Sequence, residues 1–154
     1  MLVEVIFITQ ILLVKGTLFE SSNKIHISYS FYIENISHLY FKLDFNPKTL
    51  EDKQKAKTMI YDCLLKYSNL AEEETWEKYF PLKNLLTLSV DDPKNFRGAA
   101  HRQPTDEALL IAYENSSAGF LDGEMINGYW KITISVHSIV TDSCDYELQI
   151  WTEG

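Results

Sequence analysis

The sequence predicts a mainly β protein: an antiparallel, jelly-roll-like β-sandwich of about eight strands in a single domain spanning residues 1–154, with one helical excursion at roughly 49–79. Three observations predict it. Apolar and polar residues alternate with a period of two in segment after segment, as in strands that bury one face. The period lengthens to that of a helix only once. No regular succession of strand and helix occurs, so a parallel sheet is not indicated.

The first element is read from "MLVEVIFITQILLVKG" at the N-terminus. Its apolar run falls short of the roughly 20 residues a membrane span needs. Glu4 stands where a secretory signal would carry Lys or Arg, and no small-residue cleavage site follows. A strand or a pair of strands is the reading, with a weak secretory signal the alternative. In "KIHISYSFYIE", Ile25, Ile27, Tyr29, Phe31 and Ile33 share one parity, against His26, Ser28, Ser30 and Glu34. "HLYFKLDF" repeats the pattern, with Leu39, Phe41, Leu43 and Phe45 inside and Tyr40, Lys42 and Asp44 outside.

After Pro47, Ala56, Met59, Ile60, Cys63, Leu64 and Tyr67 fall at helical spacing. Thr49 with Asp52 resembles a capping box, and acids near the start suit the helix dipole. "AEEETWEKYF" predicts a short second helical turn before Pro81. Strands resume at "LLTLSV" (85–90) and "ALLIAY" (108–113). In "YWKITISVHSIV", Trp130, Ile132, Ile134, Val136, Ser138 and Val140 share a face, opposite Lys131, Thr133, Ser135 and His137. Asn127–Gly128 marks the turn before it, and Trp130 is suited to plug the sandwich interior. "CDYELQIW" supplies the last strand.

Composition narrows the function. The chain has 45% hydrophobic residues and a formal net charge of −8, which argues against a nucleic-acid backbone or an anionic membrane as partner. Two cysteines, Cys63 and Cys144, are too few for a disulfide framework. Both read as buried thiols in a reducing, cytoplasmic setting.

Catalytic patterns are missing. There is no Gly-x-Ser-x-Gly elbow, no cysteine beside a histidine and no glycine-rich phosphate loop. The four histidines, His26, His38, His101 and His137, lack metal-ligand spacing, and no cofactor is indicated. Zinc on His101, His137 and Cys144 is conceivable, but the spacing does not require it. Asp91, Asp92 and Asn95 could offer oxygens to calcium; they are also what a turn uses for its own backbone. The one cationic cluster lies in "NFRGAAHRQPTDE". Arg97, His101 and Arg102, with His137, are the candidate ligand-binding residues, arginine being suited to bidentate contact with carboxylate or phosphate. The competing and favoured reading pairs the cluster with Asp91, Asp92, Asp106 and Glu107.

"NLLTLSVDDPKNFRGAAHR" and "SSAGFLDGEMINGYWKITISVHSIVTDSCDYELQI" resemble the β-sandwich domain that precedes the catalytic domain in CehA/McbA-type metallohydrolases of the PHP superfamily. The resemblance rests on a strand ending in Asp-Pro, then Phe-Arg-Gly, an Ala-Gly-Phe-x-x-Gly turn, and a Gly-x-Trp strand carrying His137. It extends more weakly to "KIHISYSFYIE" and "HLYFKLDFNPK". The Gly-x-Trp strand also resembles pre-peptidase C-terminal sandwich domains. The metal ligands of the hydrolase lie in a downstream barrel, and none maps onto this chain. What the resemblance implies is the accessory domain without the catalyst.

The expected function is therefore a non-catalytic binding module for a protein, small-molecule or glycan ligand. A glycan would be met by exposed aromatics on the polar parity, and Tyr32, Tyr40 and Trp151 are candidates. The alternatives are an assembly partner, docking on itself or on a separate hydrolase through 49–79 with Trp76, Tyr79 and Phe80, and a small metal-dependent hydrolase using His101 and His137.

Overall fold

Eight strands pair into two four-stranded antiparallel sheets in this computed structural model, which describes residues 1–67, 73–101 and 104–153. In chain order the strands are β1 (Ile8–Leu18), β2 (His26–Ile33), β3 (His38–Asn46), β4 (Thr49–Leu50), β5 (Leu82–Lys83), β6 (Leu85–Asp91), β7 (Phe96–Ala100), β8 (Leu109–Ala112), β9 (Gly128–Ser138) and β10 (Cys144–Glu153). One sheet runs β1-β10-β3-β8 and the other β2-β9-β6-β7, while β4 and β5 form a separate two-stranded ribbon. With that ribbon set aside, the sandwich strands read 1-8-3-6 and 2-7-4-5, the jelly-roll order the sequence predicts.

The predicted inward parity forms the core. Trp130, Ile132, Ile134 and Val136 of β9 face Leu39, Phe41 and Leu43 of β3 and Leu148 and Ile150 of β10, all almost wholly buried. Trp130 satisfies its indole N–H by donating to the Ile126 carbonyl at 2.8 Å. The parity fails at the end of β9. Val140 is only half-buried, and Ile139 takes the core position instead. The reason is that β9 stops at Ser138, after which Asn23 Oδ1 accepts the Ile139 N–H at 2.6 Å and Asn84 Oδ1 the Val140 N–H at 2.8 Å. Along the β2 parity burial is uneven: Phe31 and Ile33 are buried, Ile27 and Tyr29 half-buried, and Ile25, just ahead of β2, exposed. The two sheets are also joined by the Tyr29 and Tyr146 hydroxyls, 2.6 Å apart, and burial pushes the Tyr146 phenol up. Gly16 leaves the space the Tyr146 ring fills.

The helix, α1 (Lys53–Tyr67), begins later than the Thr49 cap implies. Thr49 and Leu50 are committed to the ribbon with Leu82 and Lys83, so the cap falls to Asp52, whose Oδ1 accepts the Lys55 N–H at 3.0 Å. The first turn itself holds no acid. A 3₁₀ helix over Glu73–Tyr79 supplies the second helical turn.

Only Ala56 and Ile60 of α1 are buried. Tyr67 is exposed, and Cys63 is an exposed thiol rather than a buried one, since it borders an open hollow beside the helix instead of packing under a layer. Cys144 is fully buried at the start of β10, and burial raises its pKa. A disulfide reagent such as Ellman's is therefore expected to titrate one thiol in the native chain and a second only after unfolding. Two fast-reacting thiols in the native protein would contradict this placement. Among the described residues no helix is long and apolar enough to cross a membrane.

Candidate binding surface

Arg97 is the second residue of β7 and is 4% exposed. Its guanidinium points into the loop that follows β8. Nε and Nη2 donate to the Leu121 carbonyl at 3.2 and 3.0 Å, Nη2 to Gly123 O at 3.2 Å, and Nη1 to Glu124 O at 2.8 Å. Nη1 also meets Asp92 Oδ2 at 3.3 Å, and the guanidinium carbon lies 5.2 Å from the centre of the Trp130 ring. Five N–H donors thus have protein acceptors, and none is left for a ligand. Arg97 is a clamp on the loop: it borders an open hollow of about 350 Å³ with Asp92, Leu121 and Glu124, but its donors are spent on the hollow's own walls.

Asp92 is equally committed. Its Oδ1 accepts the Lys94 and Asn95 amides at 2.7 and 2.6 Å, while Asp91 lies 3.8 Å from Lys131. These contacts build the turn between β6 and β7. His101 is exposed in a shallow hollow shared with Phe45, Lys48, Leu86 and Thr105. Arg102 lies outside the described residues. His137 stands on the outer face of the β2-β9-β6-β7 sheet, its Nε2 2.7 Å from Thr87 Oγ1. On the same face His26 Nδ1 meets Ser135 Oγ at 2.9 Å, and the Ser28 and Thr133 hydroxyls are 2.8 Å apart. Among the described residues no three His, Cys, Asp or Glu side chains gather closely enough to hold a metal, so the His101, His137 and Cys144 grouping is not assembled.

The outer face of the β1-β10-β3-β8 sheet is different. Antiparallel register sets Trp151 of β10 opposite Tyr40 of β3, with Gln10 of β1 and Leu110 of β8 on either side. The Tyr40 and Trp151 rings are 5.7 Å apart with planes within 12°. His38, two residues before Tyr40 and so on the same face, continues the series at 6.4 Å and 15°. Three near-parallel rings therefore form one aromatic strip. The Tyr40 hydroxyl donates to Glu153 Oε2 at 3.2 Å, and its pKa is raised by partial burial and then by the negative charge of Glu153.

Further along the same face, Lys42 pairs with Gln149, and Asp44 with Glu147. Beyond them an open hollow of about 480 Å³ is lined by Lys15, Thr17, Asp44, Asn46, Asp145 and Glu147. Lys15 lies 3.5 Å from Glu147, Lys48 lies 3.4 Å from Asp44, and Thr17 donates to Asp145 at 2.7 Å. Carboxylates outnumber cations in this lining. The face thus combines stacking surface at one end with hydrogen-bond acceptors at the other.

Tyr32, the third aromatic singled out from sequence, lies on the opposite sheet, edge-on to Tyr129 at 5.3 Å. Sequence reasoning passed over His38 and Tyr129; their shared outward parity with Tyr40 and Tyr32's partner strand was the available signal. No protein-family model matches the chain, and no curated protein does.

Proposed function

We infer that this chain is a non-catalytic β-sandwich binding module whose outer β1-β10-β3-β8 face takes a neutral polysaccharide. The observation that carries the reading is the His38–Tyr40–Trp151 strip, with its near-parallel ring planes. Sugar rings present C–H-rich faces that pack against aromatic faces, and their hydroxyls donate to carboxylates such as Asp44, Asp145 and Glu147 lining the adjoining hollow. A net charge of −8 and that acidic lining favour neutral sugars over uronic acids or phosphorylated ones. The resemblance to the sandwich that accompanies PHP-type metallohydrolases agrees with an accessory role of this kind.

Titration calorimetry against a panel of neutral polysaccharides tests it. Binding is expected, and Trp151→Ala or Tyr40→Ala is expected to weaken it about tenfold, the size of one lost stacking contact. Tyr40→Phe keeps the ring and is expected to bind nearly as well. Flat heats across the panel, or binding indifferent to both alanine variants, would overturn the reading.

The assembly alternative draws on a different observation. Met59, Ile60, Cys63, Leu64, Tyr79, Leu82 and Val140 line an apolar hollow of about 320 Å³ beside α1, where an apolar segment of another protein could seat.

A further inference from the structure

The edge of the sandwich at β1 is unusual in what it exposes. β1 is the last strand of its sheet: one side pairs with β10 and the other has no strand neighbour among the described residues. Natural edges are commonly short or studded with charge, because an open row of N–H and C=O groups templates pairing with another chain. β1 is 11 residues long, and Lys15 is its only charged residue. The segment leading into it, "MLVEVIF", carries no regular secondary structure, with Val5 68%, Ile6 57% and Phe7 69% exposed. Leu13 on β1 itself is also exposed. So long a run of apolar side chains in water marks a surface made for covering.

We propose that β1 and the segment before it pair antiparallel with the same segment of a second copy of this chain, joining two four-stranded sheets into one. The pattern of faces fixes the register. Ile8 and Gln10 point outward, opposite Glu153 and Trp151, so Ile6 and Glu4 share that face when the strand is extended towards the N-terminus. The irregularity between Gln10 and Leu12 shifts the parity, so Leu13, Lys15 and Thr17 are the outward residues beyond it.

A twofold axis at Thr9 sets Gln10 against Ile8 of the other copy, with Ile11 of each strand left as an unpaired bulge. Phe7 then faces Leu12, Val5 faces Val14 and Ile6 faces Leu13, each pair keeping inward with inward and outward with outward. Glu4 falls opposite Lys15. The one acid of the leading segment meets the one base of β1, and symmetry makes the contact twice. Lys15 would then lie in a row between Glu147 of its own chain, already 3.5 Å away, and Glu4 of the other.

The pairing also bears on the outer face. Trp151 is separated from β1 by one strand spacing, so the two Trp151 residues would stand about 16 Å apart on a single continuous sheet, three spacings across and two residues along. An extended polymer could engage both strips at once, although the pairing itself does not depend on any ligand.

Sedimentation equilibrium of the full chain tests the proposal by mass alone, apart from any sugar titration. A reversible dimer of the 17.9 kDa chain is expected. Glu4→Lys and Lys15→Glu each set like charges opposite one another twice, and each is expected to weaken the dimer about tenfold. Combining them restores opposite charges with the signs exchanged, and dimerisation should return nearly to the original strength. A strict monomer at high concentration would overturn the proposal. So would a dimer indifferent to the single exchanges, a double exchange no better than either single one, or a monomer that partitions onto lipid vesicles through residues 1–8.

Discussion

Replacing Arg97 with alanine is expected to cost about 3–5 kcal/mol of unfolding free energy, the range seen when one partner of a buried ion pair is removed. Both side chains of the Arg97–Asp92 pair are almost fully buried, so solvent cannot take over the role of the missing partner. The substitution leaves Asp92 Oδ2 without its cation and strips the Leu121, Gly123 and Glu124 carbonyls of their side-chain donors. It also uncovers one face of Trp130. For a chain of this size each kcal/mol shifts the melting midpoint by about 2–4 °C, so the loss should be plain in thermal as well as urea unfolding. Arg97→Lys is expected to recover only part of the loss, since an ammonium cannot reach four separate acceptors arranged around a planar fork. A loss under about 1 kcal/mol for Arg97→Ala would mean that the guanidinium does not clamp the loop.

The pairing of Arg97 with Asp92 was legible in the sequence; that Arg97 also clamps the loop was not, and the reason is physical. Arg97, His101 and Arg102 are neighbours in the chain, which suggested one cationic cluster. The acceptors that claim Arg97 are backbone carbonyls of residues 121–124, and carbonyls carry no side-chain signature. The fold was far more legible, because burying one face imposes a period that every long strand must obey. Trp130, Ile132, Ile134 and Val136 could be placed inside from spacing alone. Spacing fails where a distant partner intervenes. Thr49 and Asp52 are both good caps, and pairing with Leu82 and Lys83 removed Thr49 from the contest. Cys63 lies on the apolar stripe of α1, yet it is left exposed at the edge of an open hollow. For the aromatic strip, outward parity marked Tyr40 and Trp151 individually. Only the β3–β10 register makes them a pair, and alternation does not encode register between strands so far apart in the chain.

Gly98→Ala is expected to be at least as damaging as loss of the neighbouring arginine, and a second glycine separates its two causes. Gly98 has φ +125°, a conformation that alanine adopts only with strain of about 1–3 kcal/mol. An added Cβ would also lie 2.3 Å from the Gly119 carbonyl oxygen and 2.6 Å from Phe120 Cα, both backbone atoms that cannot rotate away. The loop must move. It is held there by Ala99 N–H donating to Gly119 O at 3.0 Å and Leu121 N–H to Arg97 O at 2.8 Å. Displacing it would also draw Phe120 out of its edge-to-face contact with Phe41, 5.0 Å away in the core. Gly123 shares the positive φ, at +153°, but a Cβ there meets only the Arg97 guanidinium at ordinary contact distance, 3.8 Å. Gly123→Ala should therefore show the conformational strain alone, about 1 kcal/mol, while Gly98→Ala adds the collision and exceeds about 3 kcal/mol in urea unfolding. Equal losses at the two positions would mean that the loop yields without cost, and that β7 and residues 119–121 are not the rigid junction on which the Arg97 clamp depends.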